Sequence, residues 1–350
     1  IIIGFIQLFR QTEEEHWRNS LLAVLVCCFL FSFFHIRHGL HLKTGIKSID
    51  SVVTNPMKRA NLSEKSEAIE YVKNRMKETG LPTRVIGEGE VLFPGYNSRY
   101  GLEGIVTVEA VRNKYQENLL TLVDYPLANN WGWLRLIKSD QVVNRAVSLD
   151  LMGIGYMVAR VGTPMPQGMK LLHSSDLDVW QRESVWPRAF FVNRVVDVHK
   201  PSEILDAMAD KLHTPFAAME SQFIPHGILN NTTQFQAVPA RDYKLTNNST
   251  HFTVDASGPG IIVLSETYYP GDFIAKVNAK EVDYVRVNEA FKGVWVNKAG
   301  KYEVSFTYRP EKLGLSMLMS IFGLILLLTI IVSICRSNRR LSVSLHPTLF

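Results

Sequence analysis

The sequence predicts a membrane protein fragment in which transmembrane helices flank an extracytoplasmic α/β (α+β) layer followed by an antiparallel β-sandwich. Three observations predict this fold: two uncharged apolar blocks near the ends, alternating helix and strand patterns between them, and short alternating runs after residue 230. With 46% hydrophobic and 20% charged residues, the chain is too apolar to be disordered. Its net charge of +5 is spread along 350 residues, so no nucleic-acid partner is expected.

The N-terminal residues are predicted to belong to the membrane. The chain begins at Ile1, and the apolar run 1–9 is interpreted as the tail of a truncated transmembrane helix, so we expect a longer protein. Residues 19–36 form the next predicted span, because Leu21–Ile36 carries no charge and approaches the roughly 20 residues that cross a bilayer. A signal peptide fits poorly, since no small-residue cleavage site follows, and a buried core helix is the other alternative.

Residues 60–225 are predicted to form the extracytoplasmic α/β domain. Ser63 can cap a helix that ends near Thr79, before a glycine and a proline. Helical patterns then alternate with strand-like segments at Arg84–Ile86, Tyr156–Arg160 and Trp186–Val196. Alternation of this kind predicts a small α/β or α+β layer.

Residues 230–310 are predicted to form the β-sandwich. Val304, Phe306 and Tyr308 alternate with polar residues, which is the period of a half-buried strand. Several such runs separated by turn residues are typical of an antiparallel sandwich. Arg309 leads directly to the next apolar block, so the sandwich is expected to lie near the bilayer.

Residues 313–335 are predicted to span the membrane, because Leu315–Cys335 has no ionisable group except the terminal thiol. Three arginines follow between positions 336 and 340, so the positive-inside rule predicts a cytoplasmic tail at 336–350. Two spans then place 37–312 on the extracytoplasmic side of a multi-pass cell-membrane protein. Basic residues just after the first span oppose this orientation.

The exposed region contains few candidate catalytic or metal-ligating groups. All three cysteines lie in the apolar blocks, which excludes a disulfide scaffold or a cysteine-ligated zinc module between them. His35, His38 and His41 recur at every third position, and an interfacial belt is favoured over a metal site. Asp176 and Asp178 are interpreted as a solvated pair rather than an acid/base couple. We therefore predict no metal site and leave the catalytic residues unknown.

Aromatic and basic residues supply the candidate ligand contacts. Core packing, membrane anchoring and sugar stacking are the alternatives for the aromatic group formed by Tyr96, Tyr100, Tyr115, Trp131 and Trp133. Arg188 can pair with a phosphate, or with a buried carboxylate such as Asp197, and structural pairing is favoured.

Several segments, taken together, resemble a known family. They are Asn97 with Tyr100–Leu102, Asp150–Tyr156, Trp186–Val192, Ser265–Phe273, Asn288, Ala290–Val296 and Ala299–Pro310. In order and spacing they resemble the C-terminal end of the bacterial YfhO family. These multi-spanning membrane proteins are related to the GT-C glycosyltransferases, which use polyprenyl-phosphate-linked sugars.

Two positions depart from the family pattern. Asp272 stands where an aromatic residue is expected, with Phe273 one place late. Asn278-Ala279 stands where an Asp-Gly turn is expected, and it makes a poorer turn because Ala resists positive φ.

The resemblance implies a protein that glycosylates a cell-envelope polymer or lipid at the outer face of the membrane. Its donor would be a polyprenyl-phosphate-linked sugar, its partners membrane lipids and the envelope polymer, and its acidic catalytic loop would lie upstream of this chain. No cofactor is expected within the fragment, and dependence on a divalent metal stays open. Asn97, Tyr100 and Arg188, which lie in the matching segments, are the candidate contacts for a glycan or lipid carrier. The alternative is a non-catalytic, membrane-anchored envelope protein whose ectodomain binds a glycan or a protein partner.

Overall fold

The computed structural model describes residues 65–92, 95–105, 113–125, 136–182, 184–209, 214–225 and 235–344. These residues all belong to one unit, Lys65–Phe350. The predicted spans at 1–9 and 19–36 lie outside the described residues, as do the three histidines, Trp131 and Trp133.

The first part of the described chain combines helices with a four-stranded mixed sheet. Its helices are α1 (Glu67–Thr79), α2 (Lys114–Leu122), α3 (Ser139–Val142) and α4 (Ala146–Leu151). Its strands are β1 (Arg84–Gly87), β2 (Ile154–Ala159), β3 (Met169–Ser174) and β4 (Asp178–Arg182). In the sheet order β1-β2-β4-β3, the first pair is parallel and the other two are antiparallel.

Helix α1 packs on this sheet through one apolar side. Ile69 and Val72 share a buried cluster with Val85 of β1 and Val158 of β2. The helix begins after Ser66, whose Oγ accepts a hydrogen bond from the Ile69 backbone N–H at 3.2 Å. The predicted cap at Ser63 was therefore wrong by three residues, because Ser66 is the residue whose side chain receives the N–H of the first turn.

The next segment of the described chain contains three strands and one helix. These are β5 (Ala189–Val192), β6 (Val195–Asp197), α5 (Ser202–Ala209) and β7 (Ala217–Met219). Strands β6 and β7 pair with each other in parallel.

The nine remaining strands of the described residues, together with β5, form two five-stranded sheets in which every pairing is antiparallel. The nine are β8 (Ala237–Pro239), β9 (Arg241–Leu245), β10 (Ser249–Ala256), β11 (Gly260–Leu264), β12 (Phe273–Val277), β13 (Lys280–Val282), β14 (Val285–Val287), β15 (Phe291–Val296) and β16 (Gly300–Tyr308). The outer sheet has the order β13-β12-β16-β10-β9, and the central sheet has the order β14-β15-β11-β5-β8.

The central sheet is buried on both faces. Ile262 and Leu264 of β11 join a cluster with Phe252 and Phe306 of the outer sheet. The alternate residues, such as Val263, face a second cluster that includes helices α2 and α4. Every residue of β11 is therefore buried, which explains the unbroken apolar run in its sequence.

Strand β5 belongs to the central sheet although it precedes residue 225. It pairs with β11 on one side and with β8 on the other. Phe190 and Phe191 point to opposite faces and enter the two different clusters. The predicted regions 60–225 and 230–310 therefore share one sheet.

The C-terminal helix α6 spans Leu313–Ser344 and begins four residues after the outer sheet ends. Among the described residues, its segment Leu313–Ser333 is the one helix long and apolar enough to cross a membrane. Its side chains are exposed throughout that segment. The coarse architecture is thus a sheet-rich domain followed by one apolar helix.

Candidate functional site: a buried charge cluster beside a surface pocket

Five charged side chains meet at one end of the central sheet. This charge cluster consists of Arg84, Glu103, Arg188, Glu266 and Lys292. Strand register brings three of them together, because Leu264 is paired with Ala189 on one side and with Lys292 on the other. Arg84 begins β1, and Glu103 follows the short 3-10 helix Tyr96–Tyr100.

Arg188 is fully buried and is held by four hydrogen bonds. Its Nε and Nη2 donate to Glu103 Oε2 at 3.0 and 2.5 Å. Its Nη1 donates to Ser265 Oγ at 2.6 Å and also to the Ser265 carbonyl. Burial by itself would lower the pKa of Arg188, but Glu103, Tyr243 and Glu266 together outweigh it and raise that pKa above its ordinary value. The arginine is therefore permanently charged.

Arg188 has a carboxylate partner, as structural pairing predicted, but the partner is Glu103. The suggested partner Asp197 was wrong, since Asp197 accepts from Ser221 Oγ at 2.5 Å. The whole of β5 lies between the two positions, because Arg188 directly precedes β5 and Asp197 is the last residue of β6.

Arg84 is the second buried arginine of the cluster. Its Nη1 donates to the Met152 carbonyl, and its Nη2 donates to the same Ser265 carbonyl that Arg188 contacts. Burial, together with the nearby positive charge of Arg188, lowers the pKa of Arg84 to about 9. Two arginines on one carbonyl thus tie the first sheet to the central sheet.

Lys292 and Glu266 form the second ion pair of the cluster, at 3.0 Å between Nζ and Oε2. The lysine is 0% exposed, and its Nζ lies 3.3 Å from the centroid of the Phe273 ring. Burial lowers the pKa of Lys292 despite its carboxylate partner. For Glu266, burial acts to raise the pKa, but the positive charges of Lys292 and Arg188 outweigh it and lower that pKa.

Tyr243 lies between the two carboxylates. Its hydroxyl is 3.4 Å from Glu103 Oε2 and 3.5 Å from Glu266 Oε1. Burial raises the pKa of Tyr243, so the phenol stays protonated and can donate to either oxygen. The cluster thus contains three cations and two anions around one hydroxyl.

A surface pocket of about 430 Å³ adjoins the charge cluster, and its lining includes Glu103 of the cluster and the neighbouring Tyr243. The other polar side chains at the pocket are Lys77, Thr83 and Asp242. Its remaining lining comes from Met76, Gly80, Pro82, Gly101 and Leu102. The pocket therefore combines a rigid carboxylate, a hydroxyl, a second carboxylate and an ammonium group.

The structure places the other two predicted site residues beside this pocket, not in its lining. Asn97 is buried, and its Nδ2 donates to the Val85 carbonyl at 2.7 Å, which holds the 3-10 helix on β1. Tyr100 is half-buried and packs against the hydrophobic cluster that contains Ile69 and Val72 of α1. The pocket-lining segment 101–103 follows directly in sequence, and its Leu102 N–H donates to the Asn97 carbonyl at 2.9 Å.

Asp176 and Asp178 do not form the predicted solvated pair. Asp176 accepts from the Ala68 backbone N–H at 2.9 Å and so supports the start of α1. Asp178 is buried and accepts from the Gly162 N–H at 2.8 Å. Both carboxylates bond to backbone groups, so an acid/base role is unsupported.

Sequence reasoning missed Glu103, Tyr243, Glu266 and Lys292. A usable signal existed for the last two: Glu266 closely follows the apolar strand β11, and Lys292 lies inside the apolar strand β15. A charge in or directly beside a buried strand needs a partner of opposite charge, and Glu266 and Lys292 are each other's partner.

Within the described ranges, no three histidine, cysteine, aspartate or glutamate side chains are grouped so that they could hold a metal ion. Comparison with protein-family models finds no match to this chain, and comparisons with curated proteins and with solved structures find no significant match either.

Proposed function

We propose that this chain is the membrane-anchored, extracytoplasmic part of a bacterial YfhO-like protein and that its exposed domain binds a glycan in the pocket described above. The observation that carries the proposal is Glu103, a pocket carboxylate that the buried Arg188 holds in one orientation. Binding without chemistry is the function that the described residues support best.

The polar groups of the pocket suit the hydroxyls of a sugar. All described hydrogen bonds to Glu103 end on Oε2, which leaves Oε1 as an acceptor for a ligand. Asp242 accepts from Thr253 through Oδ2 and retains Oδ1. Lys77 adds a hydrogen-bond donor at the pocket. The pocket volume of about 430 Å³ falls within the range of small-molecule sites, about 300–1,000 Å³.

A second candidate function follows from the resemblance together with helix α6. In it, the complete protein transfers sugar from a polyprenyl-phosphate donor to an envelope polymer or lipid. The catalytic acidic loop lies upstream, and the pocket holds the acceptor. Asn97, Tyr100 and Arg188 then act by shaping the pocket instead of touching the glycan.

The finer architecture is part of the same proposal. The two five-stranded sheets form the β-sandwich, and their shared hydrophobic cluster supports that arrangement. Helix α6 spans the bilayer, residues 37–312 are extracytoplasmic, and residues 336–350 are cytoplasmic.

The test is glycan binding by the full chain in lipid nanodiscs, measured by calorimetry against a panel of envelope oligosaccharides. Asp242→Asn and Lys77→Gln alter exposed groups at the pocket and should each weaken binding about tenfold, which corresponds to about 1.4 kcal/mol. Asp283→Asn is the matched control, because Asp283 is exposed and lies beyond the opposite edge strand of the outer sheet.

Equal affinity of all variants would place the glycan elsewhere, and no binding by any of them would refute the binding function. Incubation of the longer protein with a labelled polyprenyl-phosphate sugar and the bound glycan distinguishes the two candidate functions. Transfer of label supports the enzyme, whereas binding without transfer supports the anchored module.

A further inference from the structure

Helix α6 is joined to the outer sheet by a short, hydrogen-bonded connection. The Arg309 N–H donates to the Asp272 carbonyl at 2.7 Å, and the Glu311 N–H donates to Asp272 Oδ1 at 3.2 Å. The Leu313 N–H then donates to the Pro310 carbonyl at 3.0 Å. The start of the apolar helix is therefore fixed to the turn Tyr269–Asp272, which immediately precedes β12.

Aromatic rings surround this connection. The Phe273 and Tyr308 ring centroids lie 5.2 Å apart, and Tyr269 lies 6.3 Å from Tyr308. Tyr308, at the end of β16, is 41% exposed. Tyr284 supports the turn, since its hydroxyl donates to the Tyr269 carbonyl at 2.5 Å.

We call the partly exposed group Tyr269, Phe273, Tyr308, Arg309 and Lys312 the junction surface. It differs from an ordinary sheet end in two ways that point to lipid. Tyrosine prefers the boundary between headgroups and acyl chains, where the ring is in an apolar environment and the hydroxyl stays hydrated. Exposed basic residues beside a span attract lipid phosphates.

We infer that the junction surface lies in the headgroup zone of the bilayer, so that the sheet domain is held directly against the membrane and does not stand clear of it. This inference rests on the proposal that α6 spans the bilayer. Its second support is rigidity: the connection has only four residues, and two of its backbone N–H groups are bonded to Asp272.

The same contacts connect the junction surface to the charge cluster. The Phe273 ring lies against Tyr308 and also 3.3 Å from Lys292 Nζ. Phe273 therefore contacts both the buried ion pair and another residue of the junction surface. The pocket carboxylate Glu103 then belongs to the same packed domain that the junction surface holds against the membrane.

The test measures depth with a fluorophore on single cysteines of the full chain. In a background with Cys27, Cys28 and Cys335 replaced by Ser, NBD is attached to Pro270→Cys or Tyr308→Cys. The protein is placed in vesicles of phosphatidylcholine and phosphatidylglycerol that contain lipids spin-labelled at the headgroup or deep in the acyl chain. Pro270 is exposed in the turn, so its variant does not depend on core packing.

Two further positions serve as references. Leu324→Cys lies near the middle of the apolar segment of α6. Ser257→Cys is exposed just beyond the far end of β10, whose opposite end is paired with the last residues of β16. Ser257 is therefore about 25 Å from the junction along the strand.

We expect NBD at positions 270 and 308 to be quenched severalfold more by headgroup labels than by deep labels. Position 324 should show the reverse order, and position 257 should not be quenched. If NBD at positions 270 and 308 is unquenched like that at 257 while NBD at 324 is quenched, the inference about the junction surface is wrong, but α6 still spans the bilayer. If 324 is not quenched either, the proposed membrane anchor has failed as well.

Discussion

Breaking the Lys292–Glu266 ion pair should destabilise the fold far more than breaking an equivalent pair at the surface. Lys292→Met leaves Glu266 charged and mostly buried, with hydrogen bonds from Thr250 and Tyr243 and the more distant charge of Arg188 as its remaining support. Glu266→Gln leaves a fully buried ammonium without a counter-charge. Loss of one partner from a buried pair costs about 3–5 kcal/mol, so each single variant should lose about that much unfolding free energy.

The double variant Lys292→Met/Glu266→Gln should cost about as much as one single variant. Removal of both charges leaves no isolated ion, so the two losses should not add and the coupling energy should be about as large as one single loss, about 3–5 kcal/mol. Urea unfolding of the full chain in a mild detergent, followed by circular dichroism, measures the unfolding free energies of this double-mutant cycle: wild type, the two single variants and the double variant. The slope of unfolding free energy against urea must stay constant for the comparison to hold.

Lys73 and Glu70 provide a matched control in helix α1. Their ammonium and carboxylate groups lie 2.9 Å apart, almost the same distance as in the buried pair, but their side chains are 31% and 47% exposed. Water screens this pair, so its cycle should show little coupling. Additive losses at Lys292 and Glu266, or single losses as small as those in α1, would refute the argument that burial makes the pair strong.

Three other predictions test local features. Because the pKa of Glu266 is lowered in the folded state, its stabilising contribution should be lost as the pH falls through that lowered pKa, and Glu266→Gln should lose less unfolding free energy between neutral and acidic pH. Ala279→Gly should raise the unfolding free energy by about 0.5–1 kcal/mol in urea titrations, since Ala279 has φ +64°. Gly260→Ala should lower it by about 1–3 kcal/mol, because a Cβ there lies 2.5 Å from the Val192 carbonyl oxygen.

Each of these outcomes can fail separately. Identical acid sensitivity in wild type and Glu266→Gln would mean that another carboxylate controls the acid transition. A destabilised Ala279→Gly variant would show that chain entropy outweighs the strain of the turn. Normal stability of Gly260→Ala would show that β11 can move away from β5.

The sequence by itself determined the features that depend on neighbouring residues. Helix α6 follows from an uncharged apolar run, and the strand at Val304 and Phe306 follows from alternation, which the burial of both side chains confirms. The hairpin after β12 has φ +49° and +64° at Asn278 and Ala279, as expected from its predicted place in a tight turn. In each case the physical cause acts over a few residues.

Only the tertiary structure decided which charges meet. Arg84 and Ser265 are 181 residues apart, and they bond because β1 lies against the end of the central sheet. Arg188 pairs with Glu103 and not with Asp197, which is nearer in sequence, because Asp197 lies in β6, a strand that pairs with β7 outside the central sheet. Register and burial are properties of several strands at once, so no local pattern contains them. The charge cluster, the pocket beside it and the position of Phe273 between cluster and helix are consequences of that packing.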